Sequence, residues 1–147
     1  MFMKTLWLSP ILLLALAQPA AEEKAKKDLE RMQGVWTMQA LEINGKDVNK
    51  IDDTVLTVKK DEYKTTVKGK EQGGFRIVLD ATKEPRWIDM IKKEPDGTEQ
   101  VYKGIYTFEN GLFKMCRGAV SQQERPNQFA TWPDTGYFVV TWKKQVK

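Results

Sequence analysis

Residues 29–36 read LERMQGVW. On the N-terminal side of this stretch, Glu22 to Met32 is built mainly from Ala, Lys, Glu and Leu, residues that lose little on entering a helix. Leu29 and Met32 lie three apart and so share a helix face. With few other apolar positions, the segment predicts a short helix, partly frayed, that packs by its last turn onto the next element of the chain. After Gly34 the period changes from that of a helix to that of a strand. Trp36, Met38 and Ala40 alternate with Thr37 and Gln39, and Leu41 and Ile43 then carry the apolar phase on the opposite parity, which predicts a bulge or a bend. Leu29, Met32, Gly34 and Trp36 are therefore expected to form one end of a β structure. Gly34 brings the chain into the first strand close to its neighbours, and Trp36 is the first bulky residue inside.

Seven more strand candidates occupy the rest of the chain. Thr54 to Lys59 carries Leu56 and Val58; Tyr63, Thr65 and Val67 alternate with Lys64, Thr66 and Lys68; GKEQGG (69–74) reads as a loop before Phe75, Ile77 and Leu79. ATKEPR (81–86) breaks the pattern. Trp87 to Lys92 has Ile88 and Met90 on one face and Trp87 and Asp89 on the other. Glu99 to Glu109 places Tyr102, Gly104, Tyr106 and Phe108 on one parity, Leu112 to Arg117 places Phe113 and Met115, and Tyr137 to Lys144 places Phe138, Val140 and Trp142. Asn44-Gly45, Asn110-Gly111 and Glu94-Pro95-Asp96-Gly97 are turn signals. Parallel pairing needs crossovers of a dozen residues or more, and most connections here are shorter. The fold class predicted is all-β: eight antiparallel strands in an up-and-down barrel that removes its own edges, behind a short N-terminal helix. A two-sheet sandwich is the alternative.

The chain opens with Lys4 and an apolar run from Leu6 to Ala17, broken only by Ser9 and Pro10, before small residues and then charge from Glu22 onward. This is the pattern of a secretory signal peptide, and it falls short of the ~20 apolar residues that span a bilayer. Residues 1–17 are expected to be that peptide, cleaved after Ala17 or as late as Ala21, with 18–28 a charged lead-in and 29–147 one domain. The protein is expected to be exported, periplasmic or extracellular, with no stable membrane span after cleavage. A net charge of +4 is spread through mixed-sign stretches such as KKEPDGTE (92–99), which predicts a solvated surface and no nucleic-acid partner. Cys116 is the only cysteine, so no internal disulfide is expected; it reads as a small buried hydrophobe, with an intermolecular disulfide the sharper alternative.

Three stretches taken together, LERMQGVWTMQALEINGKDV (29–48), GIYTFENGLFKMC (104–116) and ERPNQFATWPDTG (124–136), resemble an uncharacterised lipocalin-like domain family of exported planctomycete proteins. The resemblance runs from Leu29 to Lys144 and implies a lipocalin-like barrel. It implies no activity. Gly34 and Trp36 match the Gly-x-Trp motif of lipocalins, whose tryptophan lies at the closed barrel end beneath an arginine from near the last strand. Here the last strand offers Lys143 and Lys144 instead, and the nearest arginine is Arg125 in the preceding loop.

There is no histidine, and serine occurs only at Ser9 and Ser121. The usual general base, the commonest metal ligand and the Ser-His pair are thus missing, and a zinc site would have to combine Cys116 with carboxylates. No enzyme activity, metal or cofactor is expected. Asp52 and Asp53, being adjacent, point to opposite faces of a strand and make no dyad there. Asp89 has two readings, an inward polar group that orients a ligand or an outward group in water. Arg125, Phe129 and Trp132 lie in a long Pro-punctuated loop that either caps the barrel mouth or staples itself to the wall. Tyr106, Phe129, Trp132, Arg125 and Asp89 are the candidate ligand-contacting residues. The expected role is a monomeric exported binder of a small apolar or amphiphilic molecule, with the ligand at the mouth opposite Trp36. The alternative is a module with a filled barrel that binds an envelope protein through its loops.

Overall fold

The computed structural model describes residues 14–146. Most of the expected signal peptide lies outside these residues. Helix α1 spans Leu14–Met32, so it begins ahead of Glu22 and is longer than predicted. The added turns are Leu- and Ala-rich, which favours helix enough to run through Pro19 despite the backbone hydrogen bond that proline forfeits. Among the described residues no helix is long and apolar enough to cross a membrane.

The strands are β1 (Gly34–Ile43), β2 (Lys46–Asp47), β3 (Thr54–Lys59), β4 (Glu62–Val67), β5 (Lys70–Asp80), β6 (Arg86–Lys93), β7 (Glu99–Glu109), β8 (Leu112–Gly118) and β9 (Tyr137–Lys144). From β3 onward each pairs antiparallel with the next. β1 pairs with β3 on one side and β9 on the other, which closes an eight-stranded antiparallel barrel. The two-residue β2 only extends the hairpin at Asn44-Gly45, outside the ring. The expected bulge in β1 is present: its register against β9 shifts between Met38 and Ala40. GKEQGG, expected as a loop, is instead mostly strand. The turn shrinks to Lys68-Gly69, both at positive φ, and β5 starts at Lys70. Its first residues are exposed on both faces, so ladder hydrogen bonds make them strand without any apolar alternation.

Every second side chain points inward. One core holds Trp36, Leu56, Val58, Ile77, Ile88, Met90, Tyr106, Phe113, Met115, Val140 and Trp142, with Met38, Phe75, Leu79, Phe108 and Phe138 partly buried against it. Those are the positions the alternation indicates. Tyr63 is also buried in it; the polar run Lys64-Thr65-Thr66 hid its role. Gly104 lies among these inward positions because nothing larger fits: a Cβ there would sit 2.9 Å from the Cys116 carbonyl and 3.2 Å from Ile88 Cγ2.

Candidate functional site

The two barrel ends differ, and α1 makes the difference. Its last turn lies across one end. Met32 is buried with Leu29 against the core, and the Met32 carbonyl accepts a hydrogen bond from Trp36 Nε1 at 2.8 Å. Gln33 secures the helix terminus: its Nε2 donates to the Leu29 carbonyl, an acceptor that helix geometry leaves orphaned, and to Lys60 O, while its Oε1 accepts from Lys60 N. Asp28, 6% exposed, accepts from Tyr106 Oη at 2.8 Å and Arg86 Nη1 at 3.0 Å. The cation over Trp36 is Lys144, whose Nζ sits 5.1 Å from the ring centroid and donates to Arg31 O. Gly34, at φ +118°, leaves room for it; a Cβ would lie 3.1 Å from Lys144 Cε. Arg125 does not reach this end.

Burial, the Asp28 hydrogen bond and the Asp28 charge hold the Tyr106 phenol well above its ordinary range. Burial does the same to Tyr63. Above pH ~10 an unfolded tyrosine releases its proton while these two keep theirs, so the folded state binds more protons. Stability is complete below that pH and is lost as pH rises, by up to about 1.4 kcal/mol per pH unit for each residue. Denaturant melts at successive alkaline pH values should show this decline, and Tyr106→Phe should make it shallower. A flat profile through pH 11 would contradict the burial of both phenols.

The loop between β8 and β9 runs down the outer wall. Phe129 packs on Ile105, Cys116 and Val139, a second apolar cluster outside the barrel. Thr131 N and Oγ1 donate to Glu42 Oε1, and Thr131 Oγ1 accepts from Gly45 N. Arg125 Nη2 donates to Asp89 Oδ1 at 2.7 Å, its Nη1 to Gly104 O at 2.8 Å, and its guanidinium lies 4.2 Å from the Trp87 centroid. Asp89 is thus the outward residue of its strand, paired with Arg125. The loop staples itself to the wall and leaves Trp132 half exposed. Cys116 lies beneath it, its thiol pushed up to about 12 by burial and by the Glu42 charge, which makes it a poor nucleophile.

At the end opposite α1 the barrel is open. A cavity of about 230 Å³ enters there. Met38, Leu41, Met115, Val140 and Trp142 form its apolar wall and floor; Thr54, Tyr63, Thr65 and Gln72 add polar groups; Phe75, Phe138 and Arg117 complete it. The ladder orders them by depth. Arg117 pairs with Phe138, Met115 with Val140 and Phe113 with Trp142, so same-face rows descend at about 6.6 Å per pair of residues, from arginine at the mouth to the aromatic plug. The Arg117 guanidinium lies 4.7–5.3 Å from the centroids of Phe138, Tyr102 and Phe75, contacts worth about 0.5–2 kcal/mol depending on desolvation. Burial lowers its pKa.

None of the five predicted contact residues lines this cavity. Tyr106 belongs to the closed end, and Asp89, Arg125, Phe129 and Trp132 to the outer wall. Arg117, which sequence reading left unmarked, does line it. Its signal was a cation on the inward parity of an otherwise apolar strand, two residues beyond Met115. Among the described residues no group of three or more Cys, Asp or Glu is placed to hold a metal ion. Comparison with protein-family models, curated proteins and solved structures finds no match for this chain.

Proposed function

We propose that the protein is an exported, lipocalin-like binder that holds one small apolar or amphiphilic molecule in the mouth of its barrel and does not transform it. One observation carries this reading: the interior is packed at the α1 end and hollow at the other, with a mostly apolar wall. An apolar pocket with a few convergent polar groups is where a small ligand gains most from leaving water. At about 30 Å³ per water-sized group, the cavity takes roughly eight non-hydrogen atoms, so the ligand is small or protrudes from the mouth. Export and membership of the planctomycete lipocalin-like family are parts of this proposal. They rest on the N-terminal charge and hydropathy pattern and on the three quoted stretches, with which the closed eight-stranded barrel agrees.

Titration calorimetry with octan-1-ol tests it. Saturable binding is expected, and Met115→Trp, which fills the cavity from its wall, should abolish it while the circular dichroism spectrum stays that of the native protein. Native mass spectrometry of protein purified from its own source should show a small adduct. Absence of binding to octan-1-ol together with a bare native mass would sink the carrier reading. In that case the exposed Trp132 favours the second reading, a partner-binding loop on the outer wall.

A further inference from the structure

The mouth cavity has one feature that an apolar carrier does not require. Arg117 brings a full positive charge into it, and among the described residues no carboxylate lies within salt-bridge distance of its guanidinium. Nη1 donates to the Gly118 carbonyl at 2.8 Å; Nε is buried with no acceptor. Trp142 Nε1, a second buried donor on the same wall, makes no close hydrogen bond and faces only the Tyr63 hydroxyl. Buried N–H groups are almost always paired, and a guanidinium taken from water without a counter-ion is costly unless something compensates it. The rings of Phe75, Tyr102 and Phe138 compensate in part, since each offers its quadrupole, but they carry no net charge. Elsewhere arginines that pack on the barrel meet carboxylates: the mostly buried Arg125 faces Asp89 at 2.7 Å, and even the part-exposed Arg86 faces Asp28 at 3.0 Å. Arg117 is the exception, and it is the one that lines the cavity.

We infer that the ligand is a small carboxylate amphiphile, an alkyl or aryl carboxylate, whose anionic head is held by Arg117 at the mouth and whose apolar tail descends past Met115 and Val140 toward Trp142. This rests on the cavity-binding reading above and names its ligand class. A planar monoanion suits a single guanidinium, because charge-assisted hydrogen bonds to a carboxylate are strong and Arg presents its donors in a matching fork. A cationic head would meet a like charge in a partly desolvated site, and a neutral head would leave the guanidinium as it is. The aromatic contacts hold the Arg117 side chain along the wall before a ligand arrives, which reduces the ordering cost of binding. Arg117 thus selects for charge, and the apolar wall sets length.

Calorimetric titrations at pH 7 with octanoate, octan-1-ol and octylamine separate the two layers of the argument. Octanoate is expected to bind at least ten-fold more tightly than octan-1-ol, and octylamine more weakly than both. Arg117→Gln should weaken octanoate far more than octan-1-ol and so erase the difference between them; Arg117→Lys should restore part of it. Raising the salt concentration should weaken octanoate alone. Equal binding of the three probes by the wild type would overturn the inference and leave the carrier reading standing, with Arg117 then a structural cation held by its rings. A charge preference that survives in Arg117→Gln would overturn it as well. If none of the three binds, both the inference and the carrier reading fail. Should Arg117→Gln not fold, 0.5 M chloride added to the wild type supplies the second readout, and octanoate affinity indifferent to it would count against the ion pair.

Discussion

Phe113→Ala is expected to lower the unfolding free energy by about 3–5 kcal/mol. Phe113 is fully buried. Its ring stacks on Phe108 at 5.5 Å between centroids and meets Trp36 at 5.7 Å and Tyr106 at 6.4 Å. These four aromatics fill the barrel beneath α1, and truncating the central one leaves a void that strands held in a closed ring cannot collapse into. Loss of contact enthalpy and loss of transfer free energy therefore add. For a domain of this size the melting temperature should fall by roughly 10–20 °C. Guanidinium melts give the comparison, with Val78→Ala as the control: Val78 points outward and is 46% exposed, so its truncation should change stability by no more than about 0.5 kcal/mol. A loss below 1 kcal/mol at Phe113 would mean that the closed end is not packed as described.

The second large effect is expected at Asp28. Asp28→Ala should cost about 3 kcal/mol, because it leaves the buried Tyr106 hydroxyl without its acceptor, strips Arg86 of its carboxylate and unties α1 from the barrel. Arg86, whose side chain is 40% exposed, can recover hydration, so Arg86→Ala should cost only about 1 kcal/mol. Tyr106→Phe should cost a similar amount, since it removes one hydrogen bond and keeps the ring. The double-mutant cycle between Asp28 and Tyr106 should show coupling of order 1 kcal/mol. Wild-type stability in Asp28→Ala would show that the helix is an accessory to the barrel rather than its plug. Asp28 and Met32 lie beyond every cleavage position expected between Ala17 and Ala21, so the plug would survive processing.

The contrast between the ends has a simple physical basis. The α1 end is closed by short-range sequence: Leu29, Asp28, Met32 and Trp36 lie within nine residues of one another, and the helix must lead directly into β1. The mouth is bounded by parts far apart in the chain, and its size depends on what each contributes to a shared row. Gly104, small where its neighbours are large, and Arg117, charged where its neighbours are apolar, both lie on the inward parity. Alternation marks such positions as inward without saying whether they fill the space or shape it.

The barrel was legible because two-residue periodicity and turn chemistry are local properties. Trp36, Phe113, Met115, Phe138, Val140 and Trp142 announce their side of the strand by parity alone. Asn44-Gly45 and Asn110-Gly111 announce where the chain reverses, and the phase change at Leu41 announces the bulge. The polar start of β5 was not legible, since ladder hydrogen bonds leave no mark on exposed side chains.

The candidate site was less legible, for a different reason. Arg125, Phe129, Trp132 and Asp89 stand out as residue types in a long loop or an apolar strand, and only the folded chain shows that they satisfy each other or the outer wall. Arg125 pairs with Asp89 across 36 positions, and Phe129 covers Ile105 and Cys116. By itself the sequence determined the alternation, the turns and the helix entering the first strand, because each depends on residues a few positions apart. Only tertiary structure decided which charges are paired, that Lys144 rather than an arginine covers Trp36, and that Arg117 is left facing a hollow. Those outcomes depend on which side chains meet across a closed ring, and the register that brings them together is a property of the whole barrel.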